Sequence, residues 1–237
     1  MTNAPPERNF FLESPGGRSH PRVQVAMDVT SMEEAIHLAE AALDAGADQL
    51  ELGKPLIEFL GLHGAASIIE RFPGVRFELD LMIMAGAAGY LEAAAGMGAH
   101  GVTVTGLVPW YTVEDAITRG NDLGIRVCVD LFNVSEPVTM ANRAEQAGAG
   151  AVMVHVGVDQ RRYDPDYSRL DDLRQVADSL SIPVAYATYD VDEAVAAVAA
   201  GAWEIVQGTP LIEADDPRVG LSTFIDRVKG SDPRSAT

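Results

Sequence analysis

Five ionisable side chains stand at the ends of short apolar runs. They are Asp28 in Val25-Ala26-Met27-Asp28, Glu51 in Gln49-Leu50-Glu51-Leu52, Asp80 in Glu78-Leu79-Asp80, Asp130 in Val127-Cys128-Val129-Asp130, and His155 in Met153-Val154-His155. Glu51 and Asp80 fall on neighbouring runs with open positions toward solvent. Two such carboxylates suit a hard divalent cation, magnesium first and manganese as the alternative. An imidazole beside them can take up and return a proton near neutral pH, which makes His155 the candidate acid–base residue. The other histidines belong elsewhere: His20 near the N-terminus, His37 and His63 in helical patterns, and His100 at the start of a strand. Asp28 and Asp130, with Asn133 and Gln160 on the loops that follow, are candidates for holding substrate. Two plainer readings stay open. Asp28 also reads as a helix cap, and the Glu51–Asp80 pair as a salt bridge to Lys54, the loop cation that is the further catalytic candidate.

The elements that must position these residues are written into a repeat. Ala45-Gly46-Ala47-Asp48-Gln49-Leu50-Glu51-Leu52-Gly53 has the same shape as Met97 to Gly106, Ala147 to Gly157 and Ala200 to Gly208. Each copy opens with a small-Gly-Ala helix stop and then alternates apolar with other residues, at a period of roughly 50 residues. Between the copies lie four more apolar runs: Val23 to Asp28, Phe77 to Met82, Ile125 to Leu131 and Ile182 to Ala187. Helical patterns such as Met32 to Leu43 and Leu170 to Leu180 separate the runs. Eight strand–helix units in a chain of 237 residues predict an α/β fold, a single-domain (β/α)8 TIM barrel. An open doubly wound sheet would also alternate, but a fourfold period implies closure.

Alternation assigns faces. Leu50, Leu52, Val102, Val104, Val152 and Val154 point to the helices; Gln49, Glu51, Thr103, Thr105, Met153 and His155 point inward. On the intervening strands Gln24, Asp28, Glu78, Asp80 and Asp130 share the inward side. Acids and a histidine are costly to bury in a barrel unless they hold a metal, a substrate or one another. Active sites of such barrels lie at the C-terminal ends of the strands, where these groups fall.

The formal charge of −18 and pI near 4.5 argue against nucleic acid, whose phosphates need a basic surface. A single cysteine, Cys128, excludes a disulfide framework and makes a reducing interior the default. No apolar run reaches membrane-spanning length and the N-terminus lacks a signal peptide's apolar core, so a cytoplasmic enzyme acting on a small molecule is the expectation. Residues 1–21 read as an N-terminal extension that is mobile or lies over the barrel's bottom or a partner subunit, 22–230 as the barrel and 231–237 as a fraying tail.

Val25-Ala26-Met27-Asp28, Glu51-Leu52-Gly53-Lys54-Pro55-Leu56-Ile57, Val129-Asp130-Leu131-Phe132-Asn133-Val134 and Val154-His155-Val156-Gly157-Val158-Asp159-Gln160 resemble the orotidine 5′-phosphate decarboxylase superfamily. The likeness is to its 3-hexulose-6-phosphate synthase and 3-keto-L-gulonate-6-phosphate decarboxylase branch and runs from about Val23 to Phe224. The resemblance implies a magnesium-dependent carbon–carbon lyase, an aldolase or decarboxylase of carbohydrate metabolism. It would work through the enediolate of a sugar phosphate or related keto compound and act as a homodimer. Glu51 and Asp80 would hold the metal, Asp28 would bind substrate hydroxyls, and His155 would shuttle the proton.

The chain departs from that pattern. Where the family has Asp-x-Lys-x-x-Asp on the third strand, this chain reads Asp80-Leu81-Met82-Ile83-Met84-Ala85, so the lysine is Met82 and the second acid Ala85. Two residues are inserted before Gly89-Tyr90. Lys54, where the family usually has threonine, is the one cation placed to substitute. After the seventh strand the family's phosphate-binding glycines fall on Thr188-Tyr189, with Asp190 next. After the eighth, one glycine is kept in Gln207-Gly208-Thr209. Thr188, Gly208 and Thr209 are the substrate-binding candidates at these two ends, and Arg161 and Arg162 offer compensating charge. Two readings follow: a lyase with a shifted substrate, or a barrel that has lost the chemistry and binds a metabolite or partner.

Overall fold

Strand alternation and the Gly-terminated helices resolve into one closed sheet. The computed structural model describes residues 21–231, and in it eight parallel strands close in chain order into a barrel. The expected N-terminal extension lies outside the described residues, as does most of the tail. The element order is β1 Arg22–Met27, α1 Met32–Asp44, β2 Gln49–Leu52, α2 Lys54–Arg71, β3 Phe77–Ile83, α3 Ala87–Gly96, β4 Gly101–Thr105, α4 Trp110–Leu123 and β5 Arg126–Asp130. It continues with α5 Pro137–Ala147, β6 Ala151–His155, α6 Val158–Tyr163, α7 Leu170–Ser179, β7 Val184–Thr188, α8 Val191–Ala199, β8 Glu204–Gln207 and α9 Pro217–Gly230. The (β/α)8 barrel that the period predicts is thus the fold observed, with the short α6 added between β6 and its covering helix.

The repeated glycines end helices for a conformational reason. Gly46, Gly98, Gly148 and Gly201 follow α1, α3, α5 and α8 at φ between 81° and 106°, a region that other residues enter only with strain. Each lets the chain turn directly into the next strand.

The faces fall as the alternation demands. Val23, Val25, Leu50, Leu52, Val102, Val104, Val152 and Val154 belong to the fully buried layer between sheet and helices. Each such side chain contributes about 1.5–3 kcal/mol by leaving water. Inside the barrel the mid-height layer is apolar and made mostly of small residues, Ala26, Cys128, Ala151 and Ala185, with Met153 and Val206. Above and below that layer the interior is polar.

At the strands' N-terminal ends Arg126 bridges Glu78 (3.1 Å) and Glu204 (3.2 Å), and Arg22 reaches Glu204 (3.4 Å) and Gln49 (3.3 Å). All are buried. Gly101 is required beside them, because a Cβ there would stand 2.6 Å from Glu78 Oε2. Burial pushes the Glu78 carboxyl up to about 7 against the counter-pull of Arg126. This ionic floor supports a relay: Gln49 donates to Gln24, and Gln24 donates to Glu51 at the opposite end of the strands.

Candidate active site

Asp28, Glu51, Asp80, Asp130 and His155 all reach the barrel's C-terminal end, each delivered by a different strand. The firmest pair joins β5 to β6. His155 Nδ1 lies 2.8 Å from Asp130 Oδ2, while Asp130 Oδ1 accepts the Phe132 N–H at 2.6 Å. An ionised carboxylate can only accept, so Nδ1 carries the proton and Nε2 is left to face the mouth. Asp130 is fully buried and the His155 side chain about a quarter exposed. The Phe132 ring packs against the imidazole at 5.4 Å between centroids. That approach needs Gly157, where a Cβ would stand 2.5 Å from the phenyl ring. Burial alone would lower the His155 pKa, but Asp130, with Asp80 and Asp28 behind it, outweighs that and holds it above 6.5.

Arg169 fixes the same corner from outside. Its Nη1 donates to the carbonyls of Leu131 (2.7 Å) and His155 (3.4 Å), and its Nε to Asp172 (2.7 Å). One guanidinium therefore ties the ends of β5 and β6 together. Nothing in the sequence pattern marks this residue, since it lies in the loop before α7 and not at a strand end.

Asp80 ends the regular part of β3. Its Oδ1 accepts the Thr103 hydroxyl at 2.7 Å, and the same hydroxyl oxygen accepts the Met82 N–H at 2.8 Å. Here β3 leaves register with β4: Leu79 faces Val102, yet Ile83 faces Val104. The two extra residues form a bulge, with Met82 in the left-handed region at φ 42°. Such a conformation in a residue other than glycine is held in place by its surroundings and clusters at functional sites. Asn133, on the loop after β5, shares this feature at φ 53°.

The acids feel one another. Burial raises the Glu51 carboxyl well above its ordinary range, and Asp80, Asp28, Glu78 and Asp130 push the same way. Asp80 is pushed up to about 6 by burial, against its Thr103 bond. Asp28 is raised by burial and pulled back by His155. Among the described residues no three donors form a ready-made cation cage. Magnesium does not need one: it is bound through one or two carboxylates and completes its shell with water and substrate oxygens. Glu51 and Asp80, buried acids of which the second raises the proton affinity of the first, fit that demand.

The remaining candidates are placed as follows. Asp28 is not the cap of α1; Ser31 is, accepting the Glu34 N–H. Asp28 is instead seated between two glycines. A Cβ on Gly53 would stand 2.1 Å from its Oδ1, and one on Gly208 would stand 3.3 Å from its Oδ2. Lys54 does not join the acids: its ammonium pairs with Glu58 at 3.0 Å on α2, half exposed. The helical spacing of four residues explains this, because the pair lies along the outer face of α2. Gln160 accepts the Gly157 N–H at 3.0 Å and Thr188 donates to Glu193 at 2.9 Å. Thr209 donates to Glu213 at 2.9 Å. Arg161 is held by Glu193 and Asp190, and Arg162 is largely exposed beside Asp159.

The seat between the glycines gives a direct test. Gly53→Ala must displace Asp28 or the Met27 carbonyl, which a Cβ would meet at 2.8 Å. Because a shift of 1 Å in a positioned group costs about 100-fold, kcat/KM should fall by roughly that factor while the circular dichroism spectrum is kept. Wild-type kinetics in this variant would show that Asp28 has no positional role.

Comparison with known proteins bears on the family and the fold. The sequence model of the orotidine 5′-phosphate decarboxylase / HUMPS family matches residues 21–223. The 3-hexulose-6-phosphate synthase of Methylomonas aminofaciens is 30% identical over 210 residues, covering 87% of this chain and 98% of the relative. A bifunctional enzyme Fae/Hps of Methanothrix thermoacetophila is 26% identical over 212 residues. The chain spans 54% of that relative's length. A crystal structure of 3-hexulose-6-phosphate synthase superposes with a TM-score of 0.80 at 27% identity, covering 87% of this chain and 99% of that one. The structure of 3-keto-L-gulonate-6-phosphate decarboxylase from Streptococcus mutans, at 19% identity and a TM-score of 0.78, shares the fold. With the family model covering nearly all of the barrel, this chain belongs to the orotidine 5′-phosphate decarboxylase / HUMPS family.

Proposed function

We propose that the chain is a metal-dependent carbon–carbon lyase that makes or consumes an enediolate, in the manner of the 3-hexulose-6-phosphate synthases it resembles. The supporting observation is the meeting of Glu51, Asp80 and Asp28 with the His155–Asp130 pair at one rim. Glu51 and Asp80 would hold magnesium, which when bound supplies electrostatic stabilisation for negative charge growing on two adjacent oxygens.

The chain's own residues do the rest. Asp28 accepts hydrogen bonds from substrate hydroxyls. His155 Nε2 removes a proton from the carbon beside the carbonyl, and the electron pair spreads onto the carbonyl oxygen. When the enediolate carbon attacks an aldehyde, the new carbon–carbon bond forms as the aldehyde π pair moves to oxygen, which takes the proton back from Nε2. Asp130 keeps the ring in one orientation and stabilises the imidazolium in between. Phe132, whose ring lies tilted against the imidazole, supports that orientation.

The second reading, a barrel that binds without reacting, is favoured by Met82 in place of a cation and by the Lys54–Glu58 pair. Magnesium separates the two. At a hundredfold excess over Kd a ligand adds about 2.7 kcal/mol. For a chain of this size that raises the melting temperature by roughly 5–10 °C. The rise should vanish in Glu51→Ala and Asp80→Ala. Indifference of the wild type to magnesium and manganese alike would remove the lyase reading.

A homodimer belongs to the same proposal. Met84, just past β3, and Tyr111, on α4, are each 72% exposed and present apolar surface. Sedimentation of the intact chain measures its mass directly.

A further inference from the structure

We propose that Gln24 and Thr103 are positioning residues that decide which cation this site takes: each occupies one oxygen of a candidate metal-binding carboxylate, so that the rim favours magnesium over calcium. This rests on the lyase reading above and adds to it what selects the metal.

The two carboxylates are held alike. Glu51 Oε2 accepts from the Gln24 amide, and Asp80 Oδ1 accepts from the Thr103 hydroxyl at 2.7 Å. Among the described residues, Glu51 Oε1 and Asp80 Oδ2 accept no hydrogen bond. Each acid thus keeps one oxygen open.

Neither donor is free to turn. Arg22 can only donate, so the Gln49 amide oxygen faces it at 3.3 Å, and Gln49 Nε2 is left for Glu204 (3.3 Å) and for Gln24. Gln24 in turn presents its oxygen to Gln49 and its NH2 group to Glu51. Gln24, Gln49 and Glu51 are all buried. Reversing the Gln24 amide would set its oxygen against the Glu51 carboxylate and leave both without a donor, which is costly away from water.

Thr103 is fixed from the neighbouring strand. Its oxygen accepts the Met82 N–H at 2.8 Å, and its own proton goes to Asp80. The bulge in β3 delivers that N–H, with Met82 held at φ 42°. The positive φ therefore has a use: it aims a hydroxyl at a carboxylate.

Acids with one open oxygen each suit one ion better than the other. Magnesium demands a compact octahedral shell and keeps several waters, so a single oxygen from each of two acids is enough. Calcium gathers more oxygens, about six to eight, and often takes both from one carboxylate. Partners behind metal ligands typically change metal affinity by about 10–100-fold when removed.

The test titrates magnesium chloride and calcium chloride separately into the intact chain, without substrate, by calorimetry. The wild type should prefer magnesium. Gln24→Met removes the amide at similar volume, and Thr103→Val removes the hydroxyl while keeping the shape. In each, magnesium should bind about 10–100-fold more weakly while calcium is held or strengthened, because the released carboxylate can turn both oxygens to the larger ion. Thr103→Ser keeps the donor and should keep the preference. A residue that served the fold alone would weaken both ions together.

A preference that falls at least about tenfold in both variants and survives in Thr103→Ser bears out the inference. A wild type that takes calcium as readily as magnesium, or a preference unmoved in either variant, overturns it and leaves the lyase standing. The wild-type measurement decides even where a variant does not fold. A wild type that binds neither ion removes both readings.

Discussion

His155→Asn should lower kcat by about 10²–10⁴-fold, the range associated with a positioned acid–base group, with little change in KM. Asparagine keeps a donor toward Asp130 but has no nitrogen that cycles a proton. The dependence on pH gives the mechanism a sharper reading than the loss alone. Proton removal needs the neutral ring, so wild-type activity should rise with pH through a midpoint above 6.5. Asp130→Asn withdraws the carboxylate that holds the imidazolium, leaving burial to dominate, and the limb should move to lower pH. In stability the sign is opposite: a raised histidine pKa favours the fold fully below 6.5, and that contribution fades as pH climbs through the folded value. A pH profile of kcat that Asp130→Asn leaves in place would show that another group carries the proton.

Arg126→Met is the substitution with the largest expected effect on folding. It strands Glu78 and Glu204, buried beneath the small-residue layer, without their shared cation. Removing one member of a buried ion cluster costs about 3–5 kcal/mol, a large part of the roughly 5–15 kcal/mol that separates folded from unfolded chains. Glu78 sets the dependence on pH. Its folded pKa, about 7, lies above its ordinary 4.5, so its protonation favours the fold in acid and that contribution is lost as pH rises through 7. Arg126 lowers that pKa, and without it the carboxyl stays protonated to still higher pH. The deficit in urea denaturation should therefore be larger at pH 8 than at pH 5, and Glu78→Gln added to Arg126→Met should recover part of it. An equal deficit at both values would show that lost packing, not stranded charge, is responsible.

Much of this arrangement follows from parity along strands. Leu50 and Leu52 outward require Gln49 and Glu51 inward, and the same rule sends Asp80, Asp130 and His155 to the mouth. Parity carries the opposite end of the barrel as well. Arg126 alternates with Val127 and Val129 as Cys128 and Asp130 do, and Glu204 alternates with Ile205, so the ionic floor was readable one layer below the acids. Other features were not. The two-residue bulge that turns Met82 to a positive φ depends on pairing with β4, which no local pattern records. Arg169 acts across the loop between α6 and α7, and only the packed chain brings it to Leu131 and His155. Lys54 follows Glu51 by three residues, yet the helix that begins there carries its ammonium away to Glu58.

The line of contacts from Arg22 and Glu204 through Gln49 and Gln24 to Glu51 has an evolutionary cost. In most barrels of this kind one end can drift toward greater stability without disturbing chemistry at the other. Here a lineage or a library selected only for heat resistance would replace the charged base with aliphatic residues and gain stability. In doing so it would loosen the carboxylate at the far end, so thermostable descendants of this chain should be recurrently impaired unless selection also watches activity.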